Sequence, residues 1–222
     1  MRTLAIGDIH GCNTALTNLL QVARLRREDR IIFLGDYIDR GPSSKDVLET
    51  LINLQKSSSP VFLRGNHEVM ILDARNDPVK NDLWQSCGGA ETLFSYGANY
   101  RNDSVVIPDG HWAFLEQTQR FFETETHIFV HACLDPDRDM ADQEDWFLFW
   151  EFFSKIRPHK SGKRIVCGHT QQRLGIIQDA GYAVCIDTAA AYGGWLTCLD
   201  VNSGAYWQTK ENGATREGNL AE

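Results

Sequence analysis

Along the first third of the chain, short apolar runs alternate with stretches in which apolar residues recur every three or four positions. The run Thr3–Ile6 ends in Gly7-Asp8, and Ala15, Leu16, Leu19, Leu20 and Ala23 then follow at helical spacing. A second run, 31–34, is β-branched and aromatic and ends in Gly35-Asp36. Behind Gly41-Pro42-Ser43-Ser44, a good helix start, come Val47, Leu48, Leu51, Ile52 and Leu54. A third run, 61–63, ends in Arg64-Gly65-Asn66. Strands alternating with helices predict βαβ units and a mainly parallel sheet.

The spacing sharpens this. Asp8 lies 28 positions before Asp36, and Asp36 lies 30 before Asn66. Each interval is about one βαβ unit. Right-handed crossovers then place all three residues past the ends of neighbouring strands, on one edge of the sheet. Ligands bind at that edge in open α/β folds.

Residues 75–125 break the alternation with Asn76-Asp77-Pro78, Gly88-Gly89, Tyr96-Gly97 and Pro108-Asp109-Gly110. This segment reads as an inserted, mostly helical cap. Gly88-Gly89 beside Trp84 is expected to shape it by turn formation. Strand signals return at 128–130 into His131, 165–167 into Gly168-His169, 183–186 into Asp187, and 195–199. Tight turns between these later runs predict antiparallel pairing in a second sheet. The aromatic stretch 145–153 reads as a helix packed on the core, with an aromatic substrate wall as the alternative. The expected organisation is one domain over 1–209 and a polar, fraying tail over 210–222.

Composition narrows the function classes. The 222 residues carry 22 Lys plus Arg and 30 Asp plus Glu, for a net charge of −8, with ordinary globular hydrophobicity. An acidic balance argues against binding the nucleic-acid backbone. No secretion signal and no long apolar span is visible, so a soluble, cytoplasmic, monomeric protein without a membrane partner is expected. None of the six cysteines has CxxC spacing, which points to reduced thiols rather than structural zinc.

Four blocks carry candidate chemistry: Gly7-Asp8-Ile9-His10-Gly11, Gly35-Asp36-Tyr37-Ile38-Asp39-Arg40-Gly41, Gly65-Asn66-His67-Glu68, and the separate His131 and His169. Asp8, His10, Asp36, Asn66, His131 and His169 offer carboxylate, imidazole and amide donors without thiolate, a set suited to manganese, iron or zinc. Six donors exceed what one catalytic ion with open positions uses. They suit two divalent ions sharing one carboxylate, and Asp36, in the middle block, is the natural bridge. Water shared by such ions would lose a proton near neutral pH and attack an electrophile.

These blocks resemble the signature motifs of the phosphoprotein phosphatase family of metallophosphoesterases, in its bacterial and phage-type branch. Asp8-Ile9-His10-Gly11, Gly35-Asp36 with Asp39-Arg40-Gly41, and Gly65-Asn66-His67-Glu68 match three motifs, and Val130-His131-Ala132 and Gly168-His169 two more. The resemblance implies an α/β fold: a central β-sandwich of mixed sheets flanked by helices in four layers. It implies that Asp8, His10 and Asp36 hold one metal, with manganese the first expectation, and that Asp36, Asn66, His131 and His169 hold the second. It further implies that His67 is the general acid, that Asp39 orients it, and that Arg40 and Arg64 clamp phosphate oxygens. The activity implied is hydrolysis of phosphoserine, phosphothreonine or phosphotyrosine in a protein, or of a small phosphoester. A dinucleoside polyphosphate hydrolase of the same superfamily is the alternative, and Asp39 and Glu68 favour the phosphatase branch.

Three departures stand out. Phe152 occupies the place where the family often carries a further phosphate-clamping arginine, for which Arg138, Arg157 and Arg164 are the candidate replacements. Cys133 follows His131-Ala132 in place of glycine, and Ala189 replaces the usual glycine after Asp187-Thr188.

Overall fold

The computed structural model describes residues 1–99 and 105–221 of the chain. The alternating first third folds as β1 (Thr3–Ile6), α1 (Asn13–Val22), β2 (Arg30–Phe33), α2 (Ser44–Ser57), β3 (Val61–Phe62) and α3 (Asn66–Ala74). Next come α4 (Pro78–Trp84), a π-type turn at Gln85–Gly89, α5 (Ala90–Ser95) and α6 (Asp109–Glu116). The remainder comprises β4 (Phe121–Glu123), β5 (His127–Val130), α7 (Asp145–Trp150), β6 (Arg164–Cys167), β7 (Gln178–Asp179), β8 (Ala183–Cys185), β9 (Leu196–Asp200), β10 (Ala205–Thr209) and β11 (Thr215–Asn219).

Two sheets face each other. One has the order β11-β10-β9-β1-β2-β3 and the other β4-β5-β6-β8-β7. Ala5, Ile32, Leu34 and Leu63 of the first sheet's side meet Phe129, Val166, Val184 and Ile186 of the second in one buried apolar cluster. On the outer face of the first sheet, Leu16 and Leu19 of α1 and Val47, Leu48 and Leu51 of α2 pack with Leu4, Ile6 and Phe33. Leu148 and Phe149 of α7 cover the outer face of the second sheet with Val130, Ile165 and Cys167. The result is a β-sandwich with helices on both sides, the mixed four-layer arrangement implied by the family resemblance.

Three local expectations are corrected. The later strands are not simply antiparallel: β5, β6 and β8 run parallel, antiparallel partners occupy that sheet's edges, and β9 to β11 return to the first sheet. Buried on both faces, the central strands carry the continuous apolar runs of parallel strands. Nor does the segment 210–221 fray, because Thr215–Asn219 pairs along the whole of β10 as the sheet's last strand; position 222 of the expected tail lies outside the described residues. Arg216 is fixed there by Gln208 (2.6 Å) and the Gly175 carbonyl (2.6 Å), and the Glu211 carboxylate accepts from the first N–H groups of α1, Thr14 (3.3 Å) and Ala15 (2.9 Å). An anion at a helix N-terminus is favourable, so polar composition here signals docking rather than fraying. Finally, the segment read as a cap is mostly helical where described but ends in strand β4, and Trp84, Phe114 and Leu115 join the cluster under α1 and α2 and so extend that helical layer; its positions 100–104 lie outside the described residues. Among the described residues, no helix is long and apolar enough to cross a membrane.

Candidate active site

The parallel strands of both sheets deliver the motifs to one edge. Asp8 and His10 follow β1, Asp36, Asp39 and Arg40 follow β2, Asn66 and His67 follow β3, His131 follows β5, and His169 follows β6. Five of these residues hold left-handed backbone: His10 (φ 46°), Asp36 (φ 53°), Asp39 (φ 73°), Arg40 (φ 68°) and His169 (φ 61°). Such a conformation costs a non-glycine residue about 1–2 kcal/mol, so the surroundings must enforce it. The Asp36 carbonyl accepts from Ile9 N (3.0 Å) and His10 N (2.8 Å). The buried Glu68 carboxylate accepts from Asp36 N (2.8 Å), Tyr37 N (2.9 Å) and Gly65 N (2.9 Å), tying the second and third motifs together. Gly65 is required by space, since a Cβ there would stand 2.1 Å from Asp36 Oδ1.

Asp36 lies between two donor groups. Its Oδ2 is 3.3 Å from His10 Nε2 and its Oδ1 is 3.5 Å from His131 Nε2. Asn66 Oδ1 lies 3.0 Å from His131 Nε2 and 3.1 Å from His169 Nδ1. His10 Nδ1 and His131 Nδ1 each donate to a backbone carbonyl, of Ile38 and Leu34, both at 2.9 Å. Those bonds fix the tautomers and leave the Nε2 lone pairs facing Asp36. Burial pushes His10 and His131 below the ordinary imidazole value and His169 down to about 4, so all three are neutral and ready to ligate. Burial alone would raise Asp36, but the facing imidazoles outweigh it and hold the carboxylate below its usual range. Buried lone pairs converging in this way fit divalent cations, and two compact groups share Asp36: His10, Asp36 and His67, and Asp36, His131 and His169. Asp8 stands at their margin: its oxygens accept from His169 N (3.0 Å), and burial followed by the charge of Asp187 raises its carboxyl. Asp187 was legible only as a strand end. It is buried, with Oδ1 accepting from Ala189 N (3.0 Å). Ala189 takes the left-handed conformation (φ 62°) that a glycine would adopt freely.

Beside the donors, His67 Nδ1 donates to Asp39 Oδ2 (2.7 Å), leaving His67 Nε2 buried without a partner among the described residues. Trp84 Nε1 (2.8 Å) and Thr92 Oγ1 (2.7 Å) also donate to Asp39, roles that no motif signalled. Burial pulls the His67 imidazole down, but the charges of Asp36 and Asp39 and the hydrogen bond to Asp39 outweigh it and raise the group. Arg40 points to the same place, with Nη1 2.7 Å from His10 Nε2. Its backbone N–H donates to the Gly88 carbonyl (3.0 Å), and a Cβ on Gly88 would stand 2.7 Å from the Arg40 side chain. The Gly88-Gly89 turn therefore fits around Arg40 and Trp84.

The other expected cations lie elsewhere. Arg64 does not join the site: its guanidinium is bound to Thr118 Oγ1 (3.0 Å) and the carbonyls of Glu116 (2.8 Å) and Thr118 (3.2 Å), acceptors left at the C-terminal end of α6. Arg138 pairs with Asp135 and Glu144, Arg157 with Asp137, and Arg164 with Asp179, so none replaces a clamp at Phe152. The open cleft over the site, about 740 Å³, has Arg40 and Arg173 as its only Arg or Lys lining residues among those described, with Glu151 on its wall. Trp146, Phe152 and Tyr192 line it while remaining more than half exposed. The aromatic stretch thus serves both readings: Leu148 and Phe149 enter the core, and Trp146 and Phe152 form a wall.

The family signature described as calcineurin-like phosphoesterase matches residues 1–194. The chain belongs to this family. This calcineurin-like phosphoesterase is 41% identical over 202 residues to serine/threonine-protein phosphatase 1 of Salmonella typhimurium, covering 86% of this chain and 88% of that one. It is also 41% identical over 141 residues to a symmetrical bis(5'-nucleosyl)-tetraphosphatase of Coxiella burnetii, covering 63% of this chain and 44% of that one. Among solved structures it resembles one assigned to a diadenosine tetraphosphatase, with a TM-score of 0.66 at 21% identity over 98% of this chain and 93% of that one, a likeness of fold alone.

Proposed function

We propose that this phosphoesterase hydrolyses phosphoserine and phosphothreonine monoesters in proteins, with two divalent ions held by Asp8, His10 and Asp36 and by Asp36, Asn66, His131 and His169. Bound there, the ions supply water activation and charge neutralisation. The chain's own groups do the rest. Arg40 binds phosphate oxygens, for which the guanidinium fork is suited. His67, held by Asp39, presents Nε2 to the leaving alkoxide and gives it a proton. Trp84 and Thr92 keep Asp39 in place. Proton donation to a poor leaving group contributes about 10²–10⁴ in rate.

The observation that carries the substrate class is the charge of the cleft. A tetraphosphate bridge spreads several negative charges, whereas this cleft offers two guanidiniums and has Glu151 among its lining residues. One phosphate in an open, aromatic-walled cleft matches a phosphorylated side chain on a peptide. The likeness to the Salmonella phosphatase, across 88% of that protein, supports the same reading. The test is turnover of a phosphothreonine peptide beside diadenosine tetraphosphate, with manganese supplied. Faster turnover of the peptide is expected; preference for the dinucleotide would refute the proposal.

A further inference from the structure

We propose that Arg173 binds an acidic side chain close to the phosphorylated residue of the substrate, where the catalytic cleft opens into the groove beside it. The inference rests on the phosphoprotein reading above. Arg173 lines the cleft and also a neighbouring groove of about 380 Å³ formed within residues 172–179. It is exposed, and among the described residues it takes part in no hydrogen bond or ion pair; its guanidinium lies 5.7 Å from the ring centre of Tyr192. The other cation of the cleft, Arg40, lies 5.7 Å from the same ring. The two guanidiniums are therefore separated by no more than twice that distance, which about three residues of extended chain span at ~3.3 Å each.

The loop that carries Arg173 is held firmly. The Gly175 carbonyl accepts from Arg216 Nη2 (2.6 Å) and Gln208 Nε2 (3.1 Å), and Gly175 N donates to Gln172 O (2.8 Å). Leu174 and Ile176 remain 85% and 67% exposed on either side of that anchor. A fixed loop presenting a free guanidinium loses little order on binding, so more of the ion pair appears as affinity. Of the carboxylates lining these two cavities, Asp179 in the groove is already paired with Arg164 (2.7 Å), and Glu151 lines the cleft. Arg40, turned to His10, remains for the transferred phosphate.

The experiment compares phosphothreonine peptides with Asp, Asn or Lys within three positions of the phosphothreonine, on each side, together with p-nitrophenyl phosphate. Wild-type protein is expected to prefer Asp over Asn by five- to tenfold in kcat/KM, mostly through KM, and to disfavour Lys. In Arg173→Ala the Asp-to-Asn ratio should fall toward one. Arg173→Lys should keep part of it, and Arg173→Glu should reverse the order. Persistence of the ratio in Arg173→Ala overturns the inference. So does an equal loss on every substrate, nitrophenyl phosphate included, because that places Arg173 on the transferred phosphate itself. Hydrolysis of diadenosine tetraphosphate without hydrolysis of any peptide by the wild type overturns the phosphoprotein reading and this inference with it, and is recognised before any variant is made.

Discussion

Replacing Glu68 by alanine tests whether one buried carboxylate holds the catalytic edge together. Glu68 is 0% exposed and accepts three backbone N–H groups, from Asp36, Tyr37 and Gly65. A buried donor left without an acceptor costs about 1–3 kcal/mol, so three would cost about 3–9 kcal/mol. Part of this is offset, because burial and then the charge of Asp36 already push the Glu68 carboxyl up to about 7, a sign that the ionised form is disfavoured there. We expect a net loss of about 3–5 kcal/mol, and for a chain of this size each kcal/mol lowers Tm by about 2–4 °C. The drop in Tm, followed by circular dichroism in chelator, should therefore reach about 10 °C. The freed backbone is also the one that keeps Asp36 at φ 53°, so metal content after reloading should fall. Glu68→Gln keeps the shape and one acceptor oxygen, and should lose about 1–2 kcal/mol. It should also remove a pH dependence. The wild-type carboxyl, raised from 4.5 to about 7, binds a proton in the folded state that the unfolded chain releases, so metal-free wild-type protein loses stability as pH rises through that window. Glu68→Ala melting within about 2 °C of wild type, or a pH slope unchanged in Glu68→Gln, would refute the reasoning.

Other consequences are equally direct. Asp36→Asn removes the carboxylate common to both donor groups and should lower turnover by more than the roughly hundredfold typical of losing an outer partner of a ligand; near-normal turnover with bound metal would sink the bridging role. His67→Asn should lower turnover of alkyl phosphates by about 10²–10⁴ and of nitrophenyl phosphate much less, since that leaving group needs little protonation; equal losses would count against the proton-donor role. In Asp39→Asn the charge and hydrogen bond that Asp39 adds to those raising His67 are weakened or gone while burial still lowers the group, so the high-pH limb of alkyl phosphate turnover should move to lower pH. The same raised His67 stabilises the wild-type fold at pH values below the ordinary imidazole value and loses that contribution as pH rises through its folded value; an unmoved pH–rate limb in the variant would contradict the pairing.

The donors were legible in sequence because backbone position fixes them. Asp8, Asp36, Asn66, His131 and His169 each lie one to four residues beyond a strand, and a short apolar run ending in Gly or Asp marks that place without knowledge of the fold. Asp187 obeys the same rule after β8, and its position beside Asp8 was open to the same reading. What stayed hidden depended on partners far along the chain. Trp84 and Thr92 reach Asp39 across 45 and 53 positions, and Glu211 reaches α1 across 196. No local pattern encodes those distances. The apparent tail was misread for this reason, since polar composition does not distinguish a fraying end from an edge strand held by Arg216 and Gln208.

Arginines resist sequence reading most, and for a physical cause. A guanidinium on a long flexible stem goes to whichever acceptors the fold leaves open. Arg64 adjoins the third motif, yet the carbonyls ending α6 satisfy it and remove it from the phosphate. Arg173 sits in a stretch without a signal of its own, yet the fold leaves it on the cleft wall beside the Tyr192 ring, in no ion pair among the described residues. Metal donors are thus set by strand ends, whereas anion recognition is set by which cations the rest of the structure fails to neutralise. Two phosphoesterases with the same donor motifs can therefore differ in substrate through the carboxylates and helix ends that occupy their arginines.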